Sequence, residues 1–379
     1  MPKIKSHVKK SEFMCPFCIR PFAKKEIHHQ CGKCGEMVTP KRFEKPPFKC
    51  ACGGVAKTRL CPMCREAIPS AALETKYFPF SIVGITGSGK TNYITVMLEE
   101  LPMRELRLAV VPINNDAKHL QTEHKKQIYT DHETPAPTTA GMTPKPQIWK
   151  ILHNDRAESR LNKLLKRTPT YTFTIFDGAG EHSQDVSDQN IINYIMYSEA
   201  VIVTIDPLTI PEVRKKINSR VVASSERDDS TGTRKSADEA LNHIVELIKS
   251  TRKGGSTESK LDIPVAIVLT KFDTIISNPN FSKILGTNIK NARLEIRDKK
   301  ISVDEIDDIS EQIRYFLDHD EVGAHNFVGL VDGSFTNYRF FGVSSYGTTP
   351  ESSGTVSEVN PHRVLDPILW LFHQKEFID

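Results

Sequence analysis

The sequence predicts an α/β fold, a mostly parallel sheet with helices on both faces, preceded by a small cysteine-rich module. Three observations predict it. From Phe78 onward, short apolar runs alternate with segments of helical character. Several of the runs are continuous rather than alternating, as strands covered on both faces are. All eight cysteines lie between Cys15 and Cys64, ahead of the first of these runs.

The runs that read as strands are FPFSIVGI (78–85), LRLAVVPI (106–113), QIWKIL (147–152), YTFTIFD (171–177), AVIVTID (200–206), VAIVLT (265–270) and YRFFGVS (338–344). One helix is expected after Lys90. A second begins at Ser236, where SADE forms a capping box with Glu239. A third falls within VDEIDDISEQIRYFLDH, and the last, RVLDPILWLFHQ, is interrupted by or starts near its proline. Strand and helix in this order give a sheet wound on both faces. REAIPSAALETKY reads as a connector, which places a boundary between a module of residues 1–75 and a unit of residues 76–379. Residues 132–147 are rich in proline and threonine and exclude a regular helix, and residues 223–236 read as a polar surface loop.

With 379 residues, 38% hydrophobic and 26% charged, the chain has ample material for a core. No run of eighteen apolar residues exists, which argues against a membrane span. The basic start, MPKIKSHVKKSEFM, has no apolar run behind it, so the expectation is a cytoplasmic protein rather than a secreted one. The net charge of +4 hides a split. Residues 1–80 hold 16 Lys+Arg against 6 Asp+Glu, a formal +10, and the remainder is a formal −6. A basic module suits a solvated face or an acidic partner, either nucleic acid or protein.

The cysteines fall into four close pairs: Cys15/Cys18, Cys31/Cys34, Cys50/Cys52 and Cys61/Cys64. Such knuckles supply adjacent thiolates for tetrahedral zinc, and no signal leads the chain to an oxidising compartment. Two structural zinc ions are expected. The simplest arrangement is sequential, Cys15/Cys18/Cys31/Cys34 and Cys50/Cys52/Cys61/Cys64; a nested one joins the matching CPFC and CPMC knuckles. Phe17, Phe22, Phe43 and Phe48 are either stacking groups for nucleic-acid bases or the small core around the metal.

Three stretches carry the chemistry. Gly84-x4-Gly89-Lys90-Thr91, between an apolar strand and an amphipathic helix, is a phosphate-binding loop. In it the backbone N–H groups curl around phosphates, Lys90 neutralises β/γ-phosphate charge, and the Thr91 hydroxyl ligates magnesium. Asp177-Gly178-Ala179-Gly180 ends the YTFTIFD strand. The acid there can reach magnesium through water, and the glycine lets an N–H face a γ-phosphate. Thr270-Lys271-Phe272-Asp273 ends VAIVLTKFD; a carboxylate there accepts from the two adjacent N–H donors of guanine, which adenine lacks.

In this order the stretches resemble the boxes of the translation-factor-related (TRAFAC) class of P-loop GTPases, over roughly residues 78–379. The resemblance implies GTP or GDP bound at Gly84, Thr86, Gly87, Ser88, Gly89, Lys90 and Thr91. Asp177 and Gly180 would form the magnesium and γ-phosphate box, and Thr270, Lys271 and Asp273 the guanine box. Ser344 and Ser345 match the final box that steadies the base. Thr270 stands where asparagine is common, a change expected to weaken loop anchoring. A switch threonine is implied in the Pro/Thr loop, Thr139 with Thr138 and Thr143 as rivals; it would hold magnesium together with Thr91 and Asp177. Glu181 is the implied water-orienting residue, with His182 beside it. IFDGAGE, FFGVSS and VLDPILWLF are similar to bacterial double-GTPase-like proteins of conflict or signalling systems, some of which carry N-terminal zinc ribbons. The expected protein is therefore a zinc-ribbon GTPase, slow and partner-stimulated, with an effector docking on the ribbon or the switch loop. An ATP-driven P-loop enzyme and a nucleotide-gated, nucleic-acid-binding adaptor are the alternatives.

Overall fold

Seven strands form the central sheet of the computed structural model, which describes residues 12–40, 44–84, 87–135, 146–153, 170–175, 189–226, 235–253, 260–351 and 353–379. The N-terminal part contributes a hairpin, β1 (Glu12–Met14) and β2 (Pro21–Ala23). It also contributes a four-stranded sheet of β3 (His28–Cys31), β4 (Met37–Val38), β5 (Phe48–Lys49) and β6 (Val55–Leu60). The expected connector folds in part as helix α1 (Ser70–Glu74), whose Ala72 and Leu73 pack with Phe13, Phe22 and the cysteines of the hairpin.

The large sheet is built from β7 (Lys76–Gly84), β8 (Leu108–Pro112), β9 (Gln147–His153), β10 (Thr170–Ile175), β11 (Ala200–Ile205), β12 (Leu261–Leu269) and the last strand of the chain. A small hairpin, β13 (Ile296–Arg297) and β14 (Lys300–Ile301), intervenes before that strand, β15 (Phe335–Gly342). The order is β15-β12-β11-β7-β10-β9-β8. Neighbours from β15 to β10 are parallel, and β9 alone runs against both of its neighbours. The sheet is thus mostly parallel, as expected.

The helices are α2 (Lys90–Glu100), α3 (Asn115–His119), α4 (Lys125–Tyr129), α5 (Gln189–Tyr197), α6 (Pro211–Lys216), α7 (Ser219–Glu226), α8 (Ala237–Lys253), α9 (Asp273–Ile276), α10 (Val303–Leu317), α11 (His325–Ser334) and α12 (Asp366–Gln374). One π-helical stretch, Leu120–His124, joins α3 to α4. Alternation along the strands divides two cores. Phe78, Phe80, Ile82, Ile202 and Val268 pack with α2 and α12 on one face, while Val201, Val203, Val265 and Ile267 pack with α8 and α11 on the other. That two-sided burial is why these runs are continuously apolar.

The Ser236 capping box forms: Ser236 N donates to Glu239 Oε2 at 3.0 Å, and Glu239 N donates to Ser236 Oγ at 3.2 Å. The last helix begins at Asp366, with Pro367 in its first turn, where a missing N–H costs nothing. Helices α3 to α7, α9 and α11 were not expected, and α7 takes in residues 223–226 of the stretch read as a polar surface loop.

The cysteine hairpin lies against the large sheet. Thr174 of β10 donates to the Pro16 carbonyl at 3.4 Å and accepts from Tyr77 Oη at 2.8 Å. Met14, Ile19 and Tyr194 of α5 form a small apolar cluster beside them. Phe22 and Phe48 are 3% and 6% exposed, so they belong to the module's core and are not stacking platforms. Phe17 packs against the same core, and Phe43 lies outside the described residues.

Candidate functional site

Two sites emerge, a pair of thiolate tetrads and a nucleotide-sized cavity. The tetrads are Cys15/Cys18/Cys61/Cys64 and Cys31/Cys34/Cys50/Cys52. This is the nested arrangement and corrects the sequential one. Antiparallel pairing of β3 with β6 sends the Cys31 and Cys61 ends of the two strands to opposite ends of the small sheet, so Cys50/Cys52 and Cys61/Cys64 cannot share an ion. Cross-pair sulfur separations are 3.8 Å (Cys15–Cys64 and Cys18–Cys61), 3.5 Å (Cys31–Cys52) and 3.6 Å (Cys34–Cys50). Disulfides need about 2.05 Å, whereas the edge of a zinc–thiolate tetrahedron is about 3.8 Å, so zinc fits. Backbone N–H groups of Phe17, Lys33 and Met63 each donate to a cysteine sulfur at 3.4 Å, as knuckles do when they stabilise thiolates. The N–H groups of Cys34 and Lys33 bring Cys31 down to about 6. The first tetrad is the inner one, with Cys15 and Cys61 fully buried, and the second is the outer one, with Cys34 exposed.

The cavity, of about 440 Å³, forms where β7, β12 and β15 end. Strand β7 delivers Gly84 to the start of the phosphate-loop pattern. A β-carbon at Gly84 would sit 2.1 Å from Thr204 Oγ1, so glycine alone lets the chain turn beside β11. Gly87 and Gly89 take φ of +75° and +73°, the left-handed region that favours glycine. Ser88 Oγ pairs with Thr204 Oγ1 at 3.0 Å. Lys90 is 8% exposed, and its Nζ donates to the Gly84 carbonyl at 3.4 Å, across the mouth of the loop. Thr91 follows in the first turn of α2. Thr86 lies outside the described residues.

The guanine-box pattern meets this loop directly. Thr270 Oγ1 donates to the Ser88 carbonyl at 2.7 Å and to the Ile205 carbonyl at 3.1 Å. The short hydroxyl reaches the loop because β12 ends against it. Lys271 takes φ +50° and places Nζ 3.0 Å from the Gly87 carbonyl and 3.0 Å from Asp206 Oδ2. Its stem passes 3.7 Å from where a Gly89 β-carbon would be, along the cavity floor. Asp273 faces the cavity. Burial pushes its carboxyl up, opposed by hydrogen bonds from the Ser344 and Thr349 side chains and by the Lys271 charge. Ser344 is held by paired backbone bonds with His362, at 3.0 and 2.8 Å, and Ser345 lines the same cavity.

The structure thus brings together Gly84, Gly87, Ser88, Gly89, Lys90, Thr270, Lys271, Asp273, Ser344 and Ser345. Asp177, Gly180, Glu181, His182, Thr138, Thr139 and Thr143 lie outside the described residues. Asp206, Thr204 and Thr349 were missed. Asp206 is buried, and its Oδ1 caps a short turn by accepting from Leu208 N at 2.9 Å; the signal available was a strand ending in Asp-Pro. Among the described residues no helix is long and apolar enough to cross a membrane.

No protein-family model matches the chain. A curated relative, "Putative ESX-1 scaffolding and assembly protein SaeC" of Mycolicibacterium smegmatis, is 21% identical over 327 residues, 82% of this chain and 78% of the relative. Among solved structures, the small COPII coat GTPase SAR1 of Encephalitozoon cuniculi is 10% identical, with a TM-score of 0.27, over 81% of this chain and 86% of that one. The Ski7 GTPase-like domain of S. cerevisiae is 13% identical, with a TM-score of 0.32, over 80% of this chain and 50% of that one.

Proposed function

We propose that the protein binds GTP and GDP and hydrolyses GTP to GDP and phosphate as a cytoplasmic regulatory switch. In this reading residues 76–379 form the nucleotide unit and residues 1–75 a zinc ribbon that docks a protein partner. The observation that carries it is the joining of phosphate loop and guanine box. Thr270 and Lys271 bond the carbonyls of Ser88 and Gly87, and Asp273 faces the same cavity as Gly89. A cavity floored by Lys271 and walled by a carboxylate suits a base with two adjacent donors, and adenine has none.

The chain's own residues then divide the work. The glycines admit phosphate to backbone N–H groups, and Lys90 exchanges the Gly84 carbonyl for phosphate oxygens. Magnesium, when bound, would offset the negative charge of the phosphates. Thr91 would hold it together with Thr139 and Asp177, the residues the resemblance implies. Gly180 and Glu181 would face the γ-phosphate and its attacking water. A carboxylate there is repelled by phosphate, which is why hydrolysis is proposed to be slow and partner-stimulated. Burial of Phe22 and Phe48 withdraws two of the four candidate stacking groups from nucleic acid and favours a protein partner. The scaffolding and assembly role in the relative's name is of the same kind.

Titration calorimetry with GDP and ADP tests the reading. GDP should bind at least a hundredfold more tightly, and Asp273→Asn should shift preference toward xanthosine diphosphate, with Lys90→Ala as the control for phosphate binding. Equal affinity for ADP removes the guanine assignment and leaves the ATP-driven enzyme.

A further inference from the structure

Beside the base-facing carboxylate lies a hydroxyl that no motif contains. Thr349 Oγ1 donates to Asp273 Oδ2 at 3.0 Å. The two residues are 76 positions apart, and both line the cavity. We propose that Thr349 is a positioning residue for base recognition, holding the Asp273 carboxylate in the plane that lets both its oxygens meet a guanine edge; this rests on the guanine reading above.

The physical need is specific. A carboxylate turns about its last bond with little resistance, and its terminal torsion is broad. Bidentate recognition requires both oxygens to lie in the plane of the base, so free rotation forfeits one of the two bonds. A hydroxyl donor fixed on one oxygen removes that freedom, while the oxygen keeps a lone pair for the base.

Thr349 can serve this way because its loop is tied down on several sides. Gly347 N donates to Ser344 Oγ at 2.8 Å, and Asn360 N to the Tyr346 carbonyl at 2.9 Å. Gly347 takes φ +75° with its α-carbon pressed on the Asn360 backbone; an added β-carbon would lie 2.1 Å from the Asn360 carbonyl oxygen. Beyond Thr349, Glu351 N donates to the Thr355 carbonyl at 2.9 Å, and Gly354 N to the Glu351 carbonyl at 2.8 Å. From across the cavity Thr134 N donates to the Gly354 carbonyl at 3.0 Å, and Val356 N to the His132 carbonyl at 2.7 Å. The hydroxyl therefore sits on a loop laced to the base box on one side and to residues 132–134 on the other.

The test uses full-length protein and three ligands: GDP, inosine diphosphate, which lacks the exocyclic amine and needs only one carboxylate oxygen, and ADP. Thr349→Val should weaken GDP roughly tenfold, the scale of one charge-assisted hydrogen bond. It should weaken inosine diphosphate much less, so the preference between the two contracts, and Thr349→Ser should restore it. A second readout is pH. Besides Ser344 and Thr349, Asp273 shares the cavity with Lys271, Glu133 and Glu351. Loss of the Thr349 bond should move the acid-side loss of GDP binding to higher pH. If GDP and inosine diphosphate weaken equally, or GDP is unaffected, the inference is overturned, because a packing role moves both ligands alike. If valine compromises folding, Thr349→Ala against Thr349→Ser decides: a folded serine variant with the preference lost also overturns it. Wild-type protein that binds ADP as tightly as GDP defeats the guanine reading itself, a result distinct from all of these.

Discussion

Thr270 shows how one short side chain can join two distant stretches of the chain. Its hydroxyl holds the Ser88 carbonyl at 2.7 Å, and the side chain is 3% exposed. Thr270→Val keeps the shape but leaves a buried carbonyl without that donor, a cost of about 1–3 kcal/mol. Nucleotide affinity should fall roughly tenfold, while Thr270→Ser should stay within about twofold of wild type. Unchanged affinity in the valine variant would mean that the phosphate loop is anchored by Lys271 alone. At this scale the glycines, Lys90 and Asp273 were legible in the sequence because backbone sterics and charge demand those residue types at those spacings. Asp206, Thr204 and Thr349 were not, since a lone acid or hydroxyl has many uses and only its neighbours in space select one.

The elements that decide most are the two knuckle pairs. The inner tetrad is buried and backs onto Thr174, Tyr77 and α5, whereas the outer one stands at the exposed end of the small sheet. A structural zinc contributes roughly 10–16 kcal/mol, several times what one buried phenylalanine contributes. Cys61→Ser should therefore unfold the hairpin and lower the melting temperature of the whole protein. Cys52→Ser, at a half-exposed position of the outer tetrad, should lower it less, and each variant should lose one of two zinc ions by elemental analysis. Retention of two ions in both variants would refute the tetrads as zinc sites. Strand and helix elements were read well from the sequence where their period was long. Helix α11 was missed because HNFVGLVDGS holds two glycines, and packing of Phe327, Val328 and Val331 into the core overrides their helix cost.

For the whole molecule, the C-terminal segment closes one core and carries a buried charge cluster. Arg363 pairs with Glu305 at 2.5 Å and Asp366 at 2.6 Å, and neighbouring His362 is 8% exposed, with Nε2 set 2.9 Å from the Ile289 carbonyl. Burial first, then the Arg363 charge, holds His362 down at about 4. A histidine depressed in this way must stay neutral in the fold, so its contribution is present above pH ~6.5 and lost as pH falls toward 4. The loss amounts to about 3 kcal/mol at most. Asp366 acts with the opposite sign: burial raises it to about 6, so its ionised form is penalised and acidification through the same window favours the fold. His362→Gln should remove the histidine limb alone. Urea unfolding between pH 4 and 7.5 should show the variant gaining on wild type as pH falls, and parallel curves would exclude the effect.

What the sequence by itself determined is whatever repeats or sits at short range. That includes the two-sided strands and the capping box, the glycine-rich turn between strand and helix, and four cysteine knuckles whose spacing suits a metal. Their signals are periodicity and spacing, which sterics and coordination chemistry impose locally. Only the tertiary structure decided which knuckles come together, what meets the glycine-rich turn and what bonds Asp273. Those contacts join residues 49, 182 and 76 positions apart. No local rule governs such pairs; they exist because the sheet order carries β12 and β15 to the mouth of β7 and folds β6 back beside β3.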